Sequence, residues 1–216
     1  METIESLHRF VVMRHIPFEI EEERILRELR IPKISTLEEL PEKEIARNIK
    51  KAIDLGYALI DAKAVYRTYR LQKPADEPPG VETSPGLFFG KKIAADFAAC
   101  EWVTLLLTTI GPALPDRADA LKESEPSDSF FLEHVGGWMA DYLAERVNER
   151  IAAEAAKNGY ETGFRYAPGY CDWTLQAQPE MMRLLEAHRV GVSLTDSFIM
   201  IPRKSVSAAL GWKPKG

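Results

Sequence analysis

Ser197-Phe198-Ile199-Met200-Ile201-Pro202-Arg203-Lys204-Ser205-Val206-Ser207-Ala208-Ala209-Leu210 is the stretch on which the fold turns. Two β-prone runs, Ser197–Ile201 and Val206–Leu210, flank the short connection Pro202–Ser205, which is the pattern of a hairpin. A hairpin makes the last strands antiparallel. With helices and strands alternating irregularly before it, the chain reads as α+β, a mainly antiparallel sheet with packed helices, and not as a doubly wound parallel sheet. Working outward, Pro179–His188 reads as a helix with Pro179 at its start, where the missing N–H costs nothing. Phe164–Tyr166 reads as a strand. Asp128–Lys157 is the longest helix, with the stripe Phe131, Val135, Trp138, Tyr142, Val147 and Ile151, and Asn158-Gly159 as its stop.

Further back, Arg117–Lys122 and Ile93–Cys100 suit short helices, and Trp102–Ile110 suits a buried strand closed by Gly111-Pro112. Lys73–Pro85 holds Pro74, Pro78, Pro79, Gly80 and Pro85 and is expected to be one long loop. Ala64–Leu71 alternates like a half-exposed strand. Ile45, Ile49, Ile53 and Ile60 mark one face of a helix that opens at Pro41, and Thr36-Leu37-Glu38-Glu39 has capping-box spacing. Glu19–Arg30 suits an amphipathic helix and Phe10–Met13 a strand. The Gly136-Gly137 pair inside the long helix predicts close packing against a neighbour. No internal repeat is visible, and residues 1–216 are expected to form a single domain.

Composition narrows the function. A chain of 216 residues that is 45% hydrophobic and 28% charged is neither disordered nor low-complexity. Twenty-eight Lys+Arg against 33 Asp+Glu give a net charge of −5, a poor basis for neutralising phosphates, so no nucleic-acid partner is expected. Arg67/Arg70 and Arg203/Lys204 are the small basic candidates, and both read as solvated faces. No membrane span is expected, because the run Trp102–Ile110 is too short and is interrupted by Thr104, Thr108 and Thr109. Met1-Glu2-Thr3-Ile4-Glu5 lacks the basic and apolar regions of a signal peptide. Two cysteines exclude a disulfide framework and point to a reducing cytoplasm. Four histidines and two cysteines without ligand spacing give no metal site.

Generic catalytic signatures are absent: no Gly-rich phosphate cradle, no nucleophile elbow and no H-E-x-x-H. His134 reads as a satisfied, half-buried histidine. One segment stands out, Arg165-Tyr166-Ala167-Pro168-Gly169-Tyr170-Cys171-Asp172-Trp173, between a strand and a helix. Pro168-Gly169 suits a type II turn with positive φ at the glycine, which lets a ligand approach the main chain. Arg165 offers a planar fork for a carboxylate, and Tyr170 and Trp173 offer faces for a cation or a heteroaromatic ring. A surface turn with a packing tyrosine accounts for the same composition. Cys171 reads as packing.

Arg165-x-Ala167-Pro168-Gly169-Tyr170 resembles the R-x-A-P-G-Y signature of the activation domain of cobalamin-dependent methionine synthase. Ser193-Leu194-Thr195-Asp196-Ser197-Phe198-Ile199-Met200 resembles its K-L-T-E-S-F-A-M segment, and Ser205-Val206-Ser207 its S-V-S. Met139-Ala140-Asp141-Tyr142-Leu143-Ala144-Glu145 resembles L-A-D-R-L-A-E more weakly. Gly169-Tyr170-Cys171-Asp172-Trp173 and Pro202-Arg203-Lys204-Ser205 resemble the short, free-standing relatives of that domain.

The resemblance implies a stand-alone reactivation module for a corrinoid methyltransferase. Such a module binds S-adenosylmethionine and docks on the partner's corrinoid-binding domain, which holds the cobalamin. A reduced donor such as a flavodoxin or ferredoxin acts on the partner, and S-adenosylmethionine remethylates the corrinoid. The implied ligand-binding residues are Arg165 for the methionyl carboxylate, Ala167 and Gly169 through the main chain, Tyr170 near the sulfonium or ribose, and Asp172 and Trp173 beside them. None is expected to be catalytic. The family's P-A-C-P after G-Y is replaced here by Cys171-Asp172-Trp173-Thr174. Asp172 is a candidate for the methionyl ammonium, with a helix or turn cap as its other reading, and Glu145 and Glu149 suit either the ligand or solvent. The competing function is a non-catalytic module that caps a corrinoid protein.

Overall fold

Every residue of Trp102-Val103-Thr104-Leu105-Leu106-Leu107-Thr108-Thr109 is buried, so this strand has packed layers on both faces. The computed structural model describes residues 10–28, 34–73 and 77–216. Its elements run β1 (Phe10–Arg14), α1 (Glu22–Glu28), α2 (Lys43–Leu59), β2 (Lys63–Gln72), β3 (Gly80–Val81), β4 (Ser84–Phe88), α3 (Lys91–Phe97) and β5 (Trp102–Thr109). They continue with α4 (Ala113–Leu121), α5 (Pro126–Lys157), β6 (Tyr160–Tyr166), α6 (Gln178–Leu184), β7 (Ser193–Leu194), β8 (Met200–Ile201) and β9 (Ser205–Pro214).

The main sheet has seven strands in the order β4-β3-β2-β5-β9-β6, with β1 also paired to β2. All pairings are antiparallel, so the chain is α+β. Alternation along the central strands feeds two cores. Tyr66, Leu106, Ala208, Leu210 and Trp212 face α2, α4 and α5, while Val65, Leu105, Leu107 and Ala209 face α3, α6 and the 3-10 turn Ala187–Val190. Thr68 and Thr104, buried between strands, satisfy each other at 2.7 Å.

Several expectations change. The closing hairpin does not form as Ser197–Ile201 against Val206–Leu210. Met200–Ile201 pairs back with Ser193–Leu194 in a small separate ribbon, and β9 enters the main sheet between β5 and β6. Apolar alternation marks both strands but carries no information about their partners. β3 lies within the expected long loop and β4 begins at its end, where a Gly- and Pro-rich composition hid short strands; Pro74 lies outside the described residues. β2 is buried on both faces and not half-exposed.

Local corrections follow the same logic. Thr36 makes no side-chain cap, and Glu39 instead accepts the Ser35 N–H at 2.9 Å, so Leu37–Glu39 is one 3-10 turn. The buried face of α2 is Ala46, Ile49, Ala52 and Gly56, whereas Ile45 is 40% exposed. The core stripe of α5 is Leu132, Val135, Met139, Leu143, Val147 and Ile151, with Phe131, Trp138 and Tyr142 half-buried on its flanks. α1 is described to Glu28, and the end of the expected helix lies outside the described residues. Gly136 packs as its sequence implies: a Cβ there would overlap the Leu114 side chain of α4. His134 is exposed, its Nδ1 2.8 Å from the Phe130 carbonyl.

Candidate functional site

The site begins with an irregularity in β6. Thr162 faces Trp212 of β9, but Leu210, two residues on, faces Arg165, so β6 carries one extra residue around Gly163-Phe164. A bulge of this kind reverses the side-chain alternation after it. It turns Arg165 to the same face as Leu210, toward α5, and leaves Phe164 82% exposed.

β6 then leaves the sheet. Pro168 and Gly169 occupy the middle of a turn closed by the Tyr170 N–H donating to the Ala167 carbonyl at 3.2 Å, with Gly169 at φ +96°. This is the expected type II turn. Because β6 pairs with β9 only from Ala209 to Pro214, residues 205–208 have β5 on one side and no strand on the other. Open peptide edges of this kind supply donors and acceptors to whatever lies beside them.

A cleft of about 470 Å³ occupies that gap. Arg165, Ala167 and Tyr170 line it from the turn, Ser205–Ser207 from β9, and Asp141 from α5. Tyr166, Pro168, Cys171, Met200 and the buried Gln178 complete the wall, and Ser207 donates to the Gln178 side-chain oxygen at 3.0 Å. Among the described residues Asp141 has no ion pair, so the cleft offers one guanidinium and one carboxylate. Tyr166 hydrogen-bonds through its hydroxyl to Asp96, which holds the phenol up at about 12. It is therefore a neutral group across working pH.

Three of the six candidate ligand residues, Arg165, Ala167 and Tyr170, meet at this cleft. The other three are engaged in the fold. Asp172 turns toward α3, where its carboxylate accepts the Lys92 N–H at 3.2 Å, an N-terminal helix cap supplied from a distant loop. Trp173 is buried, its ring 4.9 Å from Phe89. A Cβ added to Gly169 would sit 3.3 Å from the Leu175 side chain. Of the α5 carboxylates, Glu145 pairs with Arg24 and Glu149 with Arg146. Cys171 is exposed at φ +54° and is not packed in the core. Sequence reasoning missed Asp141, one helical turn before Glu145, although the L-A-D similarity contained it.

Tyr170, in the cleft wall, is 70% exposed, and Ile199 and Ile201, the chain neighbours of the lining Met200, are 56% and 50% exposed. The basic pair Arg203/Lys204, expected as a solvated face, is instead bound within the fold. Arg203 binds Asp119 at 2.7 Å, Glu133 at 2.8 Å and the Pro115 carbonyl at 3.0 Å, and Lys204 binds Glu133 at 2.8 Å.

Two comparisons bear on this geometry. The family model for the activation domain of vitamin B12 dependent methionine synthase matches residues 93–216, which include every lining residue of the cleft. The fold is similar to the crystal structure of the MetH reactivation domain bound to AdoHcy, with a TM-score of 0.68 at 18% identity over 97% of this chain and 81% of that one. No curated protein matches the chain significantly.

Proposed function

The chain belongs to the family of vitamin B12 dependent methionine synthase activation domains, and we propose that it serves as a separate reactivation module for a cobalamin-dependent methyltransferase, binding S-adenosylmethionine in the cleft as methyl donor. The observation that carries this reading is the placement of Arg165 and Asp141 in one cleft with open strand backbone as its floor. An α-amino acid end needs a cation for its carboxylate and an anion for its ammonium, and the guanidinium fork suits the first. The cleft volume lies within the ~300–1,000 Å³ range of small-ligand sites.

In this arrangement Arg165 grips the methionyl carboxylate and Asp141 the ammonium. The main chain at Ala167 and the free edge of Ser205–Ser207 read the adenine, and Tyr170 lies by the sulfonium or ribose, where its ring face favours positive charge. The corrinoid, held by the partner's corrinoid-binding domain, accepts the sulfonium methyl after a one-electron donor such as a flavodoxin or ferredoxin has reduced cob(II)alamin, and S-adenosylhomocysteine departs. The chain's own contribution is orientation: it presents the methyl toward the open mouth of the cleft. Tyr170 in the cleft wall, and the exposed Ile199 and Ile201 that flank the lining Met200 in the chain, supply apolar surface for docking.

The test is in two parts. Calorimetric titration is expected to show saturable S-adenosylmethionine binding. Remethylation of cob(II)alamin on a candidate corrinoid methyltransferase, with an electron donor present, is expected to require this protein. Partner binding without S-adenosylmethionine binding would leave the chain as a non-catalytic cap and overturn the methyl-donor reading.

A further inference from the structure

A second recess, about 300 Å³, lies beside β2 and is lined by Arg67, Tyr69, Thr83, Arg183, Leu184 and Glu186. Its unusual member is Arg67. Alternation along β2 places Arg67 on the same face as Val65, Tyr69 and Leu71, all buried in the core under α6. An arginine in an apolar row needs an acidic partner, because an unpaired charge shielded from water is costly. Among the described residues it has none. Its Nε is sealed from solvent and donates to nothing, and its guanidinium rests 5.7 Å from the Phe10 ring centre and 5.3 Å from that of Tyr69.

Neighbouring carboxylates are already committed. Glu180 takes the fork of Arg183 through two bonds of 2.7 Å, and Glu186 accepts from Arg189 Nε at 2.5 Å. Arg189 also lies 5.4 Å from the Phe10 ring, and Arg14 donates to its carbonyl at 3.3 Å. Four arginines therefore gather around two glutamates, on a chain whose net charge is −5. Burial raises the Tyr69 hydroxyl above its ordinary pKa, and the charges of Arg67 and Arg183, with a hydrogen bond from Arg67, pull against that rise, so the two cations act on one point and Arg67 has a neutral phenol but no carboxylate as partner.

We propose that this recess binds a small phosphate-bearing anion, gripped by the Arg67 guanidinium, with the charge and remaining N–H groups of Arg183, whose fork Glu180 holds, and the Thr83 hydroxyl beside it. Guanidinium forks match phosphate oxygens in geometry as well as charge. The anion would give the Arg67 guanidinium, where it faces the recess, the counter-charge that no carboxylate of the described residues supplies. The site is independent of the methyl-donor cleft, whose lining shares no residue with it.

The experiment compares melting temperatures in inorganic phosphate and pyrophosphate with those in chloride at matched ionic strength. Binding predicts a saturable rise, roughly 3–6 °C at ten times the Kd for a protein of this size. Arg67→Gln should abolish the rise. Arg67→Met should melt in chloride at or above the parent, since an apolar chain replaces an unpaired charge. If Arg67→Gln does not fold, the exposed Arg183→Gln reads the same response, weakened several-fold. A parent that responds to phosphate no more than to chloride, or an Arg67 variant that responds like the parent, overturns the proposal. An acidic side chain of a partner protein carries similar charge. Partner affinity lost in Arg67→Gln, without any phosphate response in the parent, would assign the recess to that contact instead.

Discussion

Arg165 stands opposite Leu210 in the β6–β9 ladder, one residue later than the pairing of Thr162 with Trp212 would place it. Without the intervening bulge, Phe164 would face Leu210 and Arg165 would point toward α3 and α6. The bulge thus assigns a charged fork to the cleft and an aromatic ring to solvent. If the fork holds the methionyl carboxylate, Arg165→Ala removes a charge-assisted bond of ~1.5–3 kcal/mol, a loss of roughly 10- to 150-fold in S-adenosylmethionine affinity. Arg165→Lys should also be impaired, because an ammonium cannot form two parallel bonds. Titration of both variants is the check, and affinity equal to the parent's would remove Arg165 from the site.

Asp141 provides a sharper discrimination. It is exposed, so its ion pair with an ammonium is worth ~0.2–1 kcal/mol, or about a 1.5- to 5-fold loss in Asp141→Asn. 5′-Methylthioadenosine lacks the amino-acid end, so neither Asp141→Asn nor Arg165→Ala should change its affinity. Equal losses for both ligands would mean that these residues shape the cleft and do not read the amino acid.

Asp172 and Gly169 should register in stability. Asp172→Ala deletes the cap on α3, worth ~1 kcal/mol, which lowers the melting temperature by roughly 2–4 °C at this size. Gly169→Val forces a branched side chain to positive φ against Leu175, a strain of ~1–3 kcal/mol. Thermal unfolding measures both. An Asp172→Ala protein that melts with the parent yet loses ligand would return the carboxylate to the binding site.

The clamp at Arg203 and Lys204 predicts an acid-sensitive connection between β8 and β9. Burial works against ionisation of Glu133, but hydrogen bonds and charges from Arg203 and Lys204 outweigh it and hold its carboxyl below the ordinary value. A depressed folded pKa means that the native state binds fewer protons than the unfolded chain. The stabilisation is present above the ordinary glutamate value of ~4.3 and is lost as pH falls through the folded value. Melting temperature should fall across that acid window in the parent and fall less steeply in Glu133→Gln. Parallel profiles would show that the clamp contributes nothing.

The exposed isoleucines on either side of Met200 in the chain give a docking test. Ile199→Glu/Ile201→Glu alters two exposed side chains and should leave stability within ~0.5 kcal/mol. Each isoleucine buried at an interface contributes ~1.5–3 kcal/mol, so the double variant should raise the partner concentration needed for half-maximal reactivation more than tenfold. Reactivation rate against partner concentration reads the effect, and an unchanged curve would place the interface elsewhere.

What was legible in the sequence was local. The run Trp102–Ile110 announced a buried strand, Pro168-Gly169 announced its turn, and the Gly136-Gly137 pair announced a close helix contact, made at Gly136. Pairing was not legible, because Met200–Ile201 and β9 carry similar alternation yet join different sheets. Within the site, Arg165, Ala167 and Tyr170 were recognisable from one contiguous segment. Asp141 was not, since an exposed aspartate on a helix looks like any solvated residue until the fold brings β6 and β9 beside it. Asp172 and Trp173 sit next to the motif in sequence but point into other layers.

The free edge of β9 has a consequence for how such a site ages. Recognition by peptide groups survives nearly every side-chain replacement, proline excepted, so residues 205–207 can drift while the floor of the cleft keeps its donors and acceptors. Inheritance of the binding surface then depends on where β6 stops, a property of one turn, more than on the letters that line it. A lineage could exchange most of its sequence and still hand down the same backbone template.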